Sequence, residues 1–435
     1  MMMKKKQVRW SVAAAVVGGV LGLTACSSGG QTEQAIEDGP VTITFLHIFG
    51  EGFDGAIAGF EKEHPNITVN SESVPFDQLI SQTQARLGGG DTSIDVIAVD
   101  PPRLPSMVDN GYLLDVSDDF ADTPVTLSEA GIASATWDEA QYSYPLWSSD
   151  GFLLYNKALL DAAGVAAPAS DDASRMTWEQ VIADAETVQA AGAPYGLGFE
   201  QVDRYYQLQP LIESFGASSG LIGDDNLTPD VASDEWKEWG DWYQGLYSSG
   251  LAPVGVDATQ MPEMFTSGQV AYFVASSTRV KQMQDSPVAD GWGVAPLPHF
   301  EGGEVYTPTD SWAVGVSAFS EHQAAAREFG RYLAMSTEGG NLISQIYTLP
   351  PVNQDAYPGF ISALEAIAPE PATAMDSLFT IDSTEHALHR PSSIGYVEFE
   401  TVMNKAFSDI RNGGDVSAIL DSAQQQLESQ LAQYR

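Results

Sequence analysis

Cys26 is the only cysteine in this chain of 435 residues, so no intramolecular disulfide can form and a buried apolar interior must hold the fold together. A hydrophobic content of 43% is enough for a large interior, and the length suggests two domains more readily than one. Charge is lopsided: 59 Asp and Glu oppose 19 Lys and Arg, a net −40. Nucleic-acid binding needs cationic side chains to displace counterions from phosphates, and no basic cluster follows Arg9, so that class of function is excluded. The acidity reads as solubility outside the cell rather than cation storage.

Hydrophobic periodicity divides the chain into alternating strands and helices. Val41 to Leu46 alternates and is β-branched, a strand; Ala56, Ile57 and Phe60 recur at helical spacing until His64-Pro65-Asn66, and Ile67 to Val69 is a second strand. Gln78 to Leu87 reads as a helix closed by Gly88-Gly89-Gly90, and Ile94 to Val99 as a third strand. Gly151 to Tyr155 and Tyr195 to Phe199 also read as strands, and Thr177-Trp178-Glu179-Gln180 opens a helix with a capping-box pattern. This α/β alternation implies parallel sheets with helices on both faces. Such sheets bind ligands beyond the carboxyl ends of their strands, which places His47, Phe49, Glu51, Asp100 and Arg103 near a site.

The N-terminus reads as an address. Lys4, Lys5, Lys6 and Arg9 precede an apolar run from Val12 to Leu23, and small residues lead into Cys26, the order of a secretory signal. The uncharged stretch from Trp10 to Ala25 is shorter than the ~20 residues a helix needs to cross a bilayer, and no later apolar run reaches that length. Leu23-Thr24-Ala25-Cys26 resembles a bacterial lipobox. The resemblance implies that residues 1–25 are a cleaved signal peptide and that Cys26 carries the lipid that anchors the protein at the extracellular face of the cell membrane. Ser27 to Glu33 are small and polar, and residues 26–39 read as a flexible tether.

Several segments together resemble the extracellular solute-binding proteins of ABC importers, in the family that includes maltose-type sugar-binding proteins. Phe60-Glu61-Lys62-Glu63-His64-Pro65-Asn66-Ile67-Thr68-Val69 is similar to that family's first helix and second strand, and Ile94-Asp95-Val96-Ile97 to its "P-D-V" strand, with Ile94 where proline is usual. Gly111-Tyr112-Leu113-Leu114-Asp115, Tyr144-Pro145-Leu146 with Leu154-Tyr155-Asn156-Lys157, Ala163-Gly164-Val165, Met264 to Ala271, Ala295-Pro296-Leu297-Pro298 and Arg390-Pro391 follow in the family's order. The resemblance implies a two-lobed periplasmic-binding-protein-like fold, each lobe a mostly parallel sheet flanked by helices. Residues 40–147 plus 299–350 would form one lobe, and 148–298 plus 351–435 the other. Three hinge crossings would fall near Pro145 to Ser149, Ala295 to Phe300 and Leu349 to Asn353. It implies a monomer without cofactor, metal or catalysis, which closes on a mono- or oligosaccharide and hands it to the importer's permease subunits.

Saccharides ask for flat aromatic faces against their C–H side and for charged or amide groups at their hydroxyls. Positions matching the family nominate His47, Phe49 and Glu51 after the first strand, Asp100 and Arg103 after the third, and Trp147 and Asp150 at the first crossing. Tyr205 and Tyr206 fall where the second lobe's aromatic platform lies, Arg279 follows the "G-Q-V-A" strand, Asp310 and Trp312 follow the second crossing, and Tyr347 and Arg390 are weaker additions.

Plainer readings stand beside these. Trp236, Trp239, Tyr243, Leu246 and Tyr247 share one side of a helix and read as core packing rather than a carbohydrate platform. Trp147 serves equally well as a buried hinge residue, and Arg103 or Arg279 could simply pair with surface acids. Gly216-Ala217-Ser218-Ser219-Gly220 matches the hydrolase elbow G-x-S-x-G, but that elbow needs a strand before the serine, and Leu211 to Phe215 reads as a helix end. His386 and His389 lack the zinc-protease spacing and read as surface or interlobe histidines. Three other functions stay open: a binding protein for another small polar solute, a secreted glycosidase, and a structural or adhesive lipoprotein.

Overall fold

A computed structural model of the chain describes residues 39–121 and 123–435. The expected signal peptide, Cys26 and all but the last residue of the expected tether lie outside the described residues.

The first sheet has the strand order Ile67–Ser73, Val41–His47, Val96–Val99, Ala313–Val316, Tyr144–Pro145. The first three run parallel, with Val41 opposite Ile67 and Phe45 opposite Val96. Ala313–Val316 runs antiparallel to both of its neighbours. The second sheet has the order Trp292–Pro296, Phe152–Asn156, Val270–Ala275, Tyr195–Phe199, and only its last pair is parallel. Both sheets are therefore mixed rather than mostly parallel. The reason is the hinge: Phe152–Asn156 and Ala313–Val316 each enter a sheet from the other lobe and run away from the crossing. Strands fed by helices on the sheet faces run toward it.

Three cores follow from these sheets. Phe45, Val96, Val314 and Phe329 belong to one, which also takes in Trp147 and Leu349. In the second sheet alternate residues face opposite ways. Leu153 and Val274 join Trp178, Trp236, Trp239, Tyr243 and Phe407, while Phe152 and Phe273 join Met375 and Phe379. The aromatic stripe of helix Asp234–Ser248 is thus core, with Trp239 stacked on Tyr243 at 5.3 Å.

Local signals match the elements they predict. Thr177 Oγ1 accepts from Gln180 N at 3.3 Å while Gln180 Oε1 accepts from Thr177 N at 3.1 Å, a closed capping box on helix Trp178–Ala190. Helix Phe76–Leu87 ends in the glycine run, where the left-handed residue is Gly90 (φ 73°) rather than Gly88 (φ −62°). Ser218 follows helix Tyr205–Phe215, not a strand, and its Oγ donates to the Asp230 carbonyl at 3.1 Å, so no hydrolase elbow forms.

Two crossings lie side by side, with Trp147 bridged to Pro351 and Ser148 N donating to the Pro350 carbonyl at 2.9 Å. The remaining one comes later than Ala295 to Phe300. Phe300 packs in the second lobe's core, and Thr307–Pro308 still pair with Ala387–Leu388, so the chain passes over at residues 309–312. Pairing between segments this far apart in the chain leaves no local pattern to read.

Candidate functional site

Because Val41–His47, Val96–Val99 and Tyr144–Pro145 end at the hinge side of one sheet, and Tyr195–Phe199 and Val270–Ala275 at that of the other, the loops beyond them face each other. They enclose a cleft of about 670 Å³. The first lobe lines it with Phe49, Phe76, Trp147, Trp312 and Tyr347. Phe49 is the pivot of this wall: its ring meets Trp147, Trp312 and Tyr347 edge-on at 5.7, 5.5 and 5.8 Å. Rings locked edge to face cannot reorient freely, so the wall is preformed. The second lobe is polar, presenting Glu200, Gln201, Arg204, Tyr206, Ser276, Thr278, Arg279, Arg390 and Glu400.

The cleft floor is a chain of buried charges. Arg390 donates from Nη2 to Asp100 Oδ1 at 2.5 Å and from Nε to Asp310 Oδ2 at 3.0 Å, and its backbone N–H donates to the same Asp310 oxygen at 2.7 Å. Arg103 joins Asp100 at 3.3 Å and also pairs with Glu400. Burial alone would disfavour the Arg390 cation, yet Asp100 beside it drives its pKa up. Burial likewise opposes the Asp310 carboxylate, but the hydrogen bond from His389 and the charge of Arg390 hold its pKa below the usual range. Charges this dry persist only because each faces its opposite. Glu200, also buried, accepts from Ser276 N at 2.8 Å and Arg279 Nε at 2.5 Å.

Nine of the fourteen nominated residues line this cleft: Phe49, Asp100, Trp147, Tyr206, Arg279, Asp310, Trp312, Tyr347 and Arg390. Five do not, each for a physical reason. His47 is fully buried beneath the cleft, where Nδ1 accepts from Phe49 N at 3.0 Å and Nε2 faces Ser71 Oγ at 2.7 Å. Glu51 is exposed at the start of a helical turn. Arg103 sits behind Asp100, facing a small cavity with Leu79 and Met107. Asp150 is buried under Thr307, whose Oγ1 donates to it at 2.6 Å; burial pushes its carboxyl well above the ordinary range. Tyr205 points into the second core, its ring edge-on to Phe399 at 4.8 Å and its hydroxyl donating to the Ser219 carbonyl at 2.5 Å.

Among the lining residues that escaped the sequence reading are Phe76, Glu200, Arg204 and Glu400. Glu200 had a signal, since it directly follows the strand Tyr195–Phe199 as Asp100 follows Val96–Val99. Phe76 and Glu400 had none, being carried in by helices Phe76–Leu87 and Tyr396–Arg411.

Among the described residues, Asp172, Asp382 and His386 lie close enough to ligate a cation. Arg175 Nη2 already stands 2.8 Å from Asp172 and 2.6 Å from Asp382, which makes the group a salt-bridge network. His389 Nδ1 contacts Asp310 at 2.6 Å beside the hinge, an interlobe histidine.

Residues 47–336 match the family model described as bacterial extracellular solute-binding protein, two thirds of the chain. The chain belongs to that family. This solute-binding protein is 24% identical over 302 residues to a binding protein of Brucella abortus, covering 67% of this chain and 68% of the relative. It is 25% identical over 338 residues to a Deinococcus radiodurans protein named "Probable ABC transporter-binding protein", covering 73% and 77%. In fold it is similar to the ABC substrate-binding protein of Listeria monocytogenes in complex with cycloalternan, with a TM-score of 0.78, 20% identity, and 90% and 99% of the two chains covered. Maltose-bound T. maritima MalE3 has a TM-score of 0.75, with 19% identity and coverage of 91% and 100%. The GacH receptor of Streptomyces glaucescens, known with acarbose, has a TM-score of 0.74, 20% identity and coverage of 91% and 100%.

Proposed function

We propose that this protein captures a mono- or oligosaccharide between its lobes and delivers it to the permease subunits of an ABC importer, as a monomer held to the membrane by a lipid on Cys26. The observation that carries this reading is the asymmetry of the cleft. Stacked and edge-locked rings form one wall, suited to the C–H face of a pyranose, and hydrogen-bonding side chains form the other, suited to its hydroxyls. Binding proteins of the same fold hold cycloalternan, maltose and acarbose.

Transport needs no covalent chemistry: ligand that binds the closed form better than the open one shifts the population, and the importer reads the closed shape. Micromolar affinity corresponds to about −8 kcal/mol, within reach of a few rings and hydrogen bonds in a cleft this size. Each acid lining the cleft (Asp100, Glu200, Asp310, Glu400) faces an arginine, an arrangement suited to binding rather than to donating a proton to a glycosidic oxygen.

Titration calorimetry against a saccharide panel, with chromatography of the same mixtures, tests the reading. Stoichiometric binding without turnover supports it. Hydrolysis, or heat from none of the saccharides, overturns it.

A further inference from the structure

Three arginines line the cleft, and two are committed. Arg279 is paired with Glu200, and Arg390 is shared between Asp100 and Asp310. Arg204 is different: among the described residues its guanidinium has neither a hydrogen bond nor an ion pair. It comes from the second lobe and sits over the Phe76 ring of the first, its central carbon 4.5 Å from the centroid. A guanidinium held over a ring by its central carbon still has its fork of N–H donors to offer a partner.

A cation with no carboxylate in direct contact is out of place in this molecule, where 59 acidic side chains outnumber 19 basic ones. Glu400 and Asp100, the carboxylates whose charges reach Arg204, are both paired with Arg103 and Arg390 instead. Burial, opposed by the charges of Glu400 and Asp100 and reinforced by those of Arg103 and Arg390, holds the Arg204 pKa below the ordinary arginine value. A neutral hydroxyl would leave the guanidinium without an anionic hydrogen-bond partner, whereas an anion would supply one. With one free fork available, the group matched is a carboxylate, which takes two parallel N–H bonds. A phosphate or sulfate would call for several uncommitted cations.

We propose that the cleft takes a saccharide bearing a carboxylate, a uronic acid residue, whose charge is met bidentately by Arg204 while the aromatic wall covers the sugar face. This rests on the saccharide reading above and narrows its substrate class.

The test is calorimetry on the full chain with matched sugars that differ only at the exocyclic carbon: glucose against glucuronate, galactose against galacturonate, and the linked dimers of each. The uronate form should bind at least about tenfold more tightly and lose affinity with added salt, which the neutral form should not. Arg204→Gln should erase the preference and Arg204→Lys keep part of it, with melting temperature monitored in parallel. If Arg204→Gln fails to fold, the matched pairs and their salt dependence decide the matter in the native chain. A neutral sugar bound as tightly as its uronate overturns the uronate inference and leaves the saccharide reading standing. A preference that survives in folded Arg204→Gln overturns the role of Arg204. Binding of neither form overturns the saccharide reading itself.

Discussion

Arg390 Nη2 stands 2.5 Å from Asp100 Oδ1, and the two residues come from opposite lobes. Asp100 follows a strand of the first sheet, and Arg390 follows the short strand Ala387–Leu388 that pairs with Thr307–Pro308. Removing one member of a buried pair leaves the other charged and dry, so Arg390→Met should destabilise the fold by ~3–5 kcal/mol in urea denaturation. Arg390→Met with Asp100→Asn should cost less than the sum of the two single changes. A loss below ~1 kcal/mol for Arg390→Met would show that the pair is wetter than its geometry.

Two histidines pull stability in opposite directions with pH. Burial lowers the His47 pKa from 6.5 to about 4, against a weaker opposing pull from Asp54. The unfolded chain therefore binds the extra proton first, and stability should fall as pH drops from 6.5 toward 4, by on the order of 3 kcal/mol. His389 is the reverse: burial opposes its charge, but the Asp310 hydrogen bond wins and raises its pKa. Its contribution is complete below 6.5 and is lost as pH climbs through the raised value. Denaturation at successive pH values in His47→Gln and His389→Asn should flatten the acid and the alkaline limb respectively; unchanged slopes would refute the assignment.

Neighbouring tyrosines should behave differently. Tyr205→Ala opens a cavity in the second core and should lower stability by ~3–5 kcal/mol. Tyr206 faces the cleft and donates to Ser149 Oγ at 2.5 Å, so Tyr206→Phe should weaken ligand binding by roughly tenfold with little change in melting temperature. Calorimetry beside thermal unfolding separates the two, and equal effects of the changes on affinity would contradict the split.

A reciprocal clasp joins Ser277 of the second lobe to Thr348, the residue just before the Leu349 crossing. Ser277 Oγ donates to the Thr348 carbonyl at 2.5 Å, and Thr348 Oγ1 donates to the Ser277 carbonyl at 2.7 Å. Thr348 has φ 53°, a conformation that costs a β-branched residue ~1–3 kcal/mol and persists only where its surroundings impose it. Ser277→Ala should favour the open form, seen as a larger radius of gyration by small-angle scattering and a ligand off-rate about fivefold to tenfold faster. Identical scattering curves and off-rates would remove the clasp from the closing motion.

Cys26→Ser, expressed in a bacterium with residues 1–25 intact, should move the protein from the membrane fraction to the soluble extracytoplasmic fraction. Retention at the membrane would exclude lipid anchoring through this residue.

Much of this architecture was legible locally. Strand Val41–His47, helix Asp54–Glu63 and the capping box at Thr177 follow from side-chain period and from groups within a turn of one another. The rule that sites lie beyond strand ends led to Phe49 and Asp100, and applied to Tyr195–Phe199 it reaches Glu200. It went astray at His47, the last residue of its strand, whose ring turns inward and stacks on Phe45 at 4.5 Å.

Sequence by itself determined the alternating elements, their order, the acidic surface and the loops from which a site would be built, because these depend on neighbours in the chain. Tertiary structure alone decided which side chains enter the cleft and which charge meets which. Tyr205 and Tyr206 are adjacent on one helix yet face apart, since successive residues turn by about 100° and only the packed lobe says which direction is core. With 59 acids to choose from, nothing in the chain order ties Arg390 to Asp100 and Asp310, or leaves Arg204 over Phe76 without a carboxylate. Those partners are selected by burial, which drives a charge to find its opposite only after the lobes have brought distant segments together.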